Sequence, residues 1–257
     1  MRINTNVGAL NSSKNAFVNT MATESSMRKL SSGLRISRAA DDAAGLSIAN
    51  KLRAQSRSLT VASANAEQGN AMLQIAEGSA STIQRILERQ KELIIQREST
   101  GNNESVTTTL SNEIDLLSTE VARIIDSTNF QGSTVFMGLN FQISDGTAGG
   151  TVSVNAELVV ATVSLAGTAS IDDVDDALEA INSVLASIGG GQNVLDYTVQ
   201  NLKNSIVNVK AAESTIRDVD MAEEMAAFTK NNILTQAAQA MLSQANQSSQ
   251  SVLSLLR

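Results

Sequence analysis

From Ile48 the chain repeats its apolar or small residues at alternating steps of three and four. Ile48, Leu52, Gln55, Leu59, Ala62, Ala66, Gly69, Leu73, Ala76, Ala80, Ile83, Leu87, Gln90 and Ile94 all share one phase. A sustained 3.5-residue repeat is the mark of a helix that packs along its whole length on other helices. It predicts one helix roughly 70 Å long at 1.5 Å per residue. The segment STGNNES, residues 99–105, is rich in turn formers and ends it. A shorter helix follows through Leu110, Ile114, Leu117, Val121 and Ile124, and the short connection makes it fold back antiparallel.

A third repeat runs from Ile171 through Val174, Leu178, Ile181, Leu185, Ile188, Gln192, Leu195, Val199, Leu202 and Ile206 to Val209. Its phase passes unchanged through Gly189, Gly190 and Gly191. Three glycines cost a helix about 3 kcal/mol relative to alanine, so propensity alone calls for a break there, whereas the kept register favours a continuous but weakened helix. Ser170 followed by Asp173 has the spacing of a capping box, and the acids from Asp172 to Asp176 suit the positive end of the helix dipole. Contiguous acids on a helix point in different directions, which disfavours a metal site.

β-like alternation occurs between Leu139 and Leu165, at Phe141 and Ile143, then Val152, Val154 and Leu158, around the turn-rich SDGTAGG. It predicts a small hairpin lying on the helices. The fold class that follows is mainly α: a long antiparallel helical bundle or coiled coil with one small β-hairpin region at about 139–165. The chain ends carry thinner seams. Ile3, Val7, Leu10, Phe17 and Met21 form one, interrupted by Lys14; Leu234, Ala238, Met241 and Ala245 form the other, continuing through Val252, Leu253 and Leu256. Each segment is polar over most of its surface, so alone it buries too little to offset its ordering entropy. The seams need partners, and periodicity leaves two open: the chain's own core, or other subunits.

Composition narrows the chemistry. There is no His, Cys, Trp or Pro. Ser-His-Asp and Cys-His nucleophile systems cannot be built, nor can His/Cys zinc sites. No cofactor or metal site is expected, and an enzyme is not the expected reading. Asp41 and Asp42, the one carboxylate pair to consider, sit where a helix entry is expected. The apolar 42% of the chain includes only 2% aromatics, which fits packed helices. Residues 1–60 hold nine Lys/Arg against three Asp/Glu, but the net charge is −7 and the basic stretch has a single aromatic, Phe17. Nucleic-acid binding is therefore not expected. No apolar run has the length of a membrane span, and MRINTNVGALNSSKNAF lacks the pattern of a cleaved secretory signal. Departure from the cell would need a route that reads an uncleaved terminus.

Three blocks then carry a resemblance: SSGLRISRAADDAAGLSIANKLR at 31–53, NFQGSTVF at 129–136 and ANQSSQSVLSLLR at 245–257. In order and spacing they resemble the bacterial flagellins, over roughly residues 1–138 and 170–257, in a short form without the variable outer domains. The resemblance implies a structural subunit that polymerises into the flagellar filament for motility, with pairing N- and C-terminal helices. Residues 1–40 plus 220–257 would form the inner terminal coiled-coil domain, and residues 41–219 the outer helical bundle domain. It further implies a secreted, extracellular protein exported by the flagellar type III apparatus. The implied partners are many copies of itself, an export chaperone bound through the C-terminal helix, and hook-associated and cap proteins. In flagellins recognised by the host Toll-like flagellin receptor, the contact residues align with Arg89, Leu93, Gln96 and Glu113. The sequence departs from the family pattern at Ser249, where a proline is usual, and at Gly190 and Val194. Two other readings remain: a hook-filament junction (hook-associated) protein, and a secreted coiled-coil effector, which would stay monomeric.

Overall fold

Turn chemistry and capping set the helix limits. The structure, a computed structural model, describes residues 6–99, 103–143, 150–157 and 167–255, with side chains as far as Ser248. Helix α1 (Val7–Ser32) starts where the Asn6 side chain accepts the Ala9 N–H at 3.1 Å and stops at Gly33, whose left-handed φ of 70° lets its N–H reach the Lys29 carbonyl. Helix α2 (Ala43–Glu98) begins with the Asp42 carboxylate accepting the Gly45 N–H at 2.9 Å. Helix α3 (Glu104–Ser127) follows, then strands β1 (Asn129–Phe130), β2 (Ser133–Thr134), β3 (Gly138–Gln142) and β4 (Thr151–Asn155). Helix α4 (Ile171–Arg217) has the reciprocal box expected at its start: Asp173 accepts from the Ser170 N–H at 2.8 Å, and Ser170 Oγ accepts from the Asp173 N–H at 3.4 Å. Helix α5 (Met221–Leu255) is capped by Asp220, which accepts from the Ala222 and Glu223 N–H groups.

The chain is thus mainly α. It forms two compact units, residues 55–208 and residues 1–54 with 209–257, which divide within α2 and α4.

In the unit of residues 55–208, α2 is antiparallel to both α3 and α4. Gln90 of α2 bonds Ser118 of α3, while Gln192 of α4 reaches Glu77 and Lys203 reaches Glu67. Leu73, Ile83, Leu87 and Ile94 of α2 meet Ile114 and Val121 of α3 and Ile181, Ile188 and Leu195 of α4 in one core. The seam read from the sequence is buried from Ala62 to Ile94. Before that it is not: Ile48 and Gln55 are exposed, and Ala49 and Ser56 are buried in their place. A straight helix drifts about 20° per heptad against a 3.5 repeat, so over the 56 residues of α2 one phase cannot stay on one side.

Strands β3 and β4 pair antiparallel, Leu139 opposite Val154 and Phe141 opposite Val152, with Leu139 and Val154 turned into the core. The turn at 144–149 and the end of the expected hairpin at 158–165 lie outside the described residues. A second, smaller hairpin was not expected. Asn129 pairs with Thr134 across Gln131 and Gly132, both with positive φ, as a two-residue turn of the primed type requires.

Helix α4 continues through its three glycines, and they are not equivalent. A Cβ on Gly189 or Gly190 would meet open space, whereas one on Gly191 would fall 2.6 Å from Val154 Cγ2. Gly69 of α2 plays the matching part for β3, since a Cβ there would lie 2.8 Å from the Phe141 ring. Two bare helix backbones therefore seat the hairpin. Gly190→Ala is expected to stabilise the chain by up to about 1 kcal/mol, and Gly191→Ala to destabilise it. Urea unfolding of both variants checks this, and equal effects would count against the seat.

Candidate self-assembly surface

The other unit is built on the pairing of α1 with α5. They run antiparallel: Asn6 Nδ2 donates to the Ala245 carbonyl at 3.0 Å at one end, and Lys29 meets Glu224 at 3.4 Å near the other. Beyond Lys29, Leu34 bridges Asp218, with the Arg35 N–H on the Arg217 carbonyl and the Val219 N–H on the Gly33 carbonyl. That bridge fastens the segment entering α2 to the segment leaving α4.

Most residues that close the pair are small or polar, with Leu30 on α1 and Phe228 and Leu242 on α5 as the large apolar exceptions. On α1 the sheltered positions step by three and four through Ala9, Ser12, Ala16, Asn19, Thr23, Ser26 and Leu30, and Ser26 alone is fully buried. On α5 they step likewise through Glu224, Phe228, Asn231, Thr235, Ala238, Leu242 and Ala245. Small side chains let two helices approach closely but remove little apolar surface from water.

The seam residues read from the sequence divide accordingly. Val7, Leu10, Phe17 and Met21 are exposed, Phe17 by 66%, on the opposite side of α1 from the packed stripe. Ala238 and Ala245 lie in the stripe, while Leu234 and Met241 are exposed. Ile3, Val252, Leu253 and Leu256 lie outside the described side chains. Sequence reasoning missed Val18, Met27, Met221, Met225 and Ile233, which are also exposed. They fall outside a single heptad phase, so periodicity gave no signal for them.

Of the four residues aligned with a receptor surface, Arg89 is exposed and Glu113 half-buried; they lie 3.4 Å apart, joining α2 to α3, and Arg89 also holds Glu92 at 2.9 Å. Gln96 is exposed. Leu93 is only 1% exposed and packs in the core beside Ile94, so it offers no surface to a partner. Motif alignment fixes a position along a helix but not its depth.

Asp41 and Asp42 are engaged in local structure. Asp41 accepts from the Arg38 and Ser37 N–H groups and the Ser37 hydroxyl, and the backbone bonds, Arg38 first, hold its carboxyl below the usual value. The stability this adds is present at neutral pH and is lost as pH falls through the lowered value. Among the described residues no group of three acids could hold a metal, and no helix is long and apolar enough to cross a membrane.

With this geometry in place, the comparisons with known proteins are decisive. The bacterial flagellin N-terminal helical region matches residues 3–141, and the C-terminal helical region matches residues 171–256. The chain is 40% identical to a flagellin of Bacillus subtilis over 304 residues, and 41% identical to one of Halalkalibacterium halodurans over 273 residues, with all of both chains covered in each case. The flagellar filament 33 kDa core protein of Treponema phagedenis is 36% identical over 287 residues, again with both chains fully covered.

A helical chain that matches flagellin regions at both ends and filament proteins over its full length is a structural subunit of a polymer. The chain belongs to the bacterial flagellins, in a short form, and serves as a subunit of the extracellular flagellar filament.

The α1–α5 pair separates two kinds of substitution. Ser26→Leu puts a large side chain into a closed stripe and is expected to lower the helix content of the monomer. Phe17→Ser changes an exposed position and should leave it unchanged. Far-UV circular dichroism measures both, and a loss of helix in Phe17→Ser would mean that Phe17 packs within its own chain.

Proposed function

We propose that the chain assembles through the outward faces of the terminal pair, which carry Val7, Leu10, Phe17 and Met21 on α1 and Leu234 and Met241 on α5, and that it works without catalysis. One observation carries the reading: the pair closes mostly on small and polar residues and leaves Val7, Leu10, Phe17 and Met21 of α1 and Leu234 and Met241 of α5 to water. Exposed apolar residues concentrated on two helices mark a surface to be covered, and a subunit of a homopolymer is covered by its own copies. An inner terminal domain of residues 1–40 plus 220–257 and an outer helical bundle of residues 41–219 belong to the same reading. The Leu234 to Leu256 stripe also suits an export chaperone, because an amphipathic helix with adaptable Met contacts fits a groove partner. Secretion through the flagellar export route and contact with hook-associated and cap proteins belong to the same reading. Phe17→Ser is expected to abolish seeded polymerisation of a normally folded monomer, followed by sedimentation. Polymerisation at the wild-type rate would overturn the assignment of these faces.

A second reading has its own observation. Arg89 and Glu113 are brought together on one face from two helices, where a host flagellin receptor of innate immunity could engage them without Leu93. Arginine is a frequent anchor of interfaces. Arg89→Ala is expected to weaken binding of the monomer to that receptor at least tenfold with unchanged circular dichroism. Equal binding by variant and wild type removes the site.

A further inference from the structure

Sulfur in this chain is confined to eight methionines, with no cysteine to be oxidised first. Seven lie among the described residues, and their placement is uneven. Met72 is buried in the core at 8% exposure, and Met137 is exposed beside β3. The other five, Met21, Met27, Met221, Met225 and Met241, are 48–60% exposed, and all lie on α1 or α5. Met21 shares the outward seam of Val7, Leu10 and Phe17; Met241 lies one heptad beyond Leu234. Met27, Met221 and Met225 gather toward the end held by the Lys29–Glu224 ion pair.

We propose that these five methionines are a peroxide-sensitive modification site that controls assembly: oxidised to sulfoxides, they bar the subunit from the filament. The inference rests on the assembly surface described above, of which Met21 and Met241 are part, and extends it to Met27, Met221 and Met225 on the same two helices. A hydroperoxide supplies the oxidant. The thioether sulfur attacks its terminal oxygen, the O–O bond breaks as the S–O bond forms, and the departing oxygen takes up a proton to leave as water or an alcohol. Sulfur loses two electrons and the peroxide gains them. The product is a polar, chiral side chain in place of a flexible apolar one. On a free subunit it is solvated at no penalty. In a subunit interface its oxygen must lose water, and the apolar neighbours in the seam give it no donor in return. The penalty therefore appears on polymerisation and not on folding. Packing in the filament also shields the same sulfurs, so the free subunit is the sensitive form.

The test treats purified monomer with hydrogen peroxide, removes the excess with catalase, maps sulfoxides by peptide mass spectrometry and follows elongation from untreated filament seeds by sedimentation. Oxidation is expected at the five positions and not at Met72, with unchanged circular dichroism and elongation slowed at least tenfold. A chain with all five changed to leucine, which keeps apolar volume, should elongate equally before and after peroxide. A measurement needing no variant uses partly oxidised wild type: sulfoxide at the five positions should stay in the supernatant and be depleted in the pellet. Equal partition, or full elongation by the oxidised chain, overturns the proposal, as does equal loss by the leucine chain. If untreated monomer elongates while peroxide has no effect, only this inference fails. Untreated monomer that never elongates on seeds defeats the assembly reading and this proposal with it.

Discussion

Alanine, serine, threonine and asparagine make up most of the stripe that holds α1 against α5, with Leu30, Phe228 and Leu242 among them, and the character of the molecule follows from that choice. A helix has one circumference, so placing small residues in the closed stripe leaves Leu10, Phe17 and Met21 to face outward. Ordering a residue costs roughly 1–2 kcal/mol in backbone entropy. A stripe whose only fully buried residue on α1 is Ser26 returns little apolar burial against that cost. The pair therefore leaves apolar surface uncovered in the single chain, and the chain belongs to a family that polymerises into filaments.

The unit of residues 55–208 is built on the opposite plan. Its core of leucine, isoleucine and valine joins α2, α3 and α4, and it admits few polar side chains. The exception is informative. Gln90 is fully buried and spends its amide donor on the Ile114 carbonyl and Ser118 Oγ, so a polar link sits inside an apolar contact between α2 and α3. A single buried polar pair costs stability but rewards one register over its neighbours. The hairpin is positioned by the reverse device, the missing side chains of Gly69 and Gly191.

What the sequence disclosed depended on whether one chain supplies both sides of a contact. The α2 seam was legible from Ala62 to Ile94 because its partners are leucine- and isoleucine-rich helices of the same chain. Continuity of α4 was legible from unbroken phase, whereas the difference between Gly190 and Gly191 was not, because it depends on where Val154 passes. The β1–β2 turn was hidden because Gln131 is not one of the residues that announce a left-handed position. The α1 stripe escaped because periodicity was sought in large apolar residues, and Val7, Leu10, Phe17 and Met21 point away from the contact; on α5 the seam caught Ala238 and Ala245. Leu93 aligns with a receptor contact yet is buried, because a motif carries sequence distance but no depth.

The Leu34–Asp218 bridge has a bearing on how the chain reaches this structure. Residues so far apart in sequence meet at little cost once α2 and α4 lie antiparallel, because Lys203 on Glu67 has already closed most of the loop. Once that loop is closed, each further heptad of α1 and α5 lengthens it by only about 14 residues, at a small cost on a logarithmic scale. The two ends therefore zip from the bridge through Lys29 and Glu224 toward Asn6 and Ala245. Order spreads outward from the bridge, and the Asn6 end is the last to form and the first to fray.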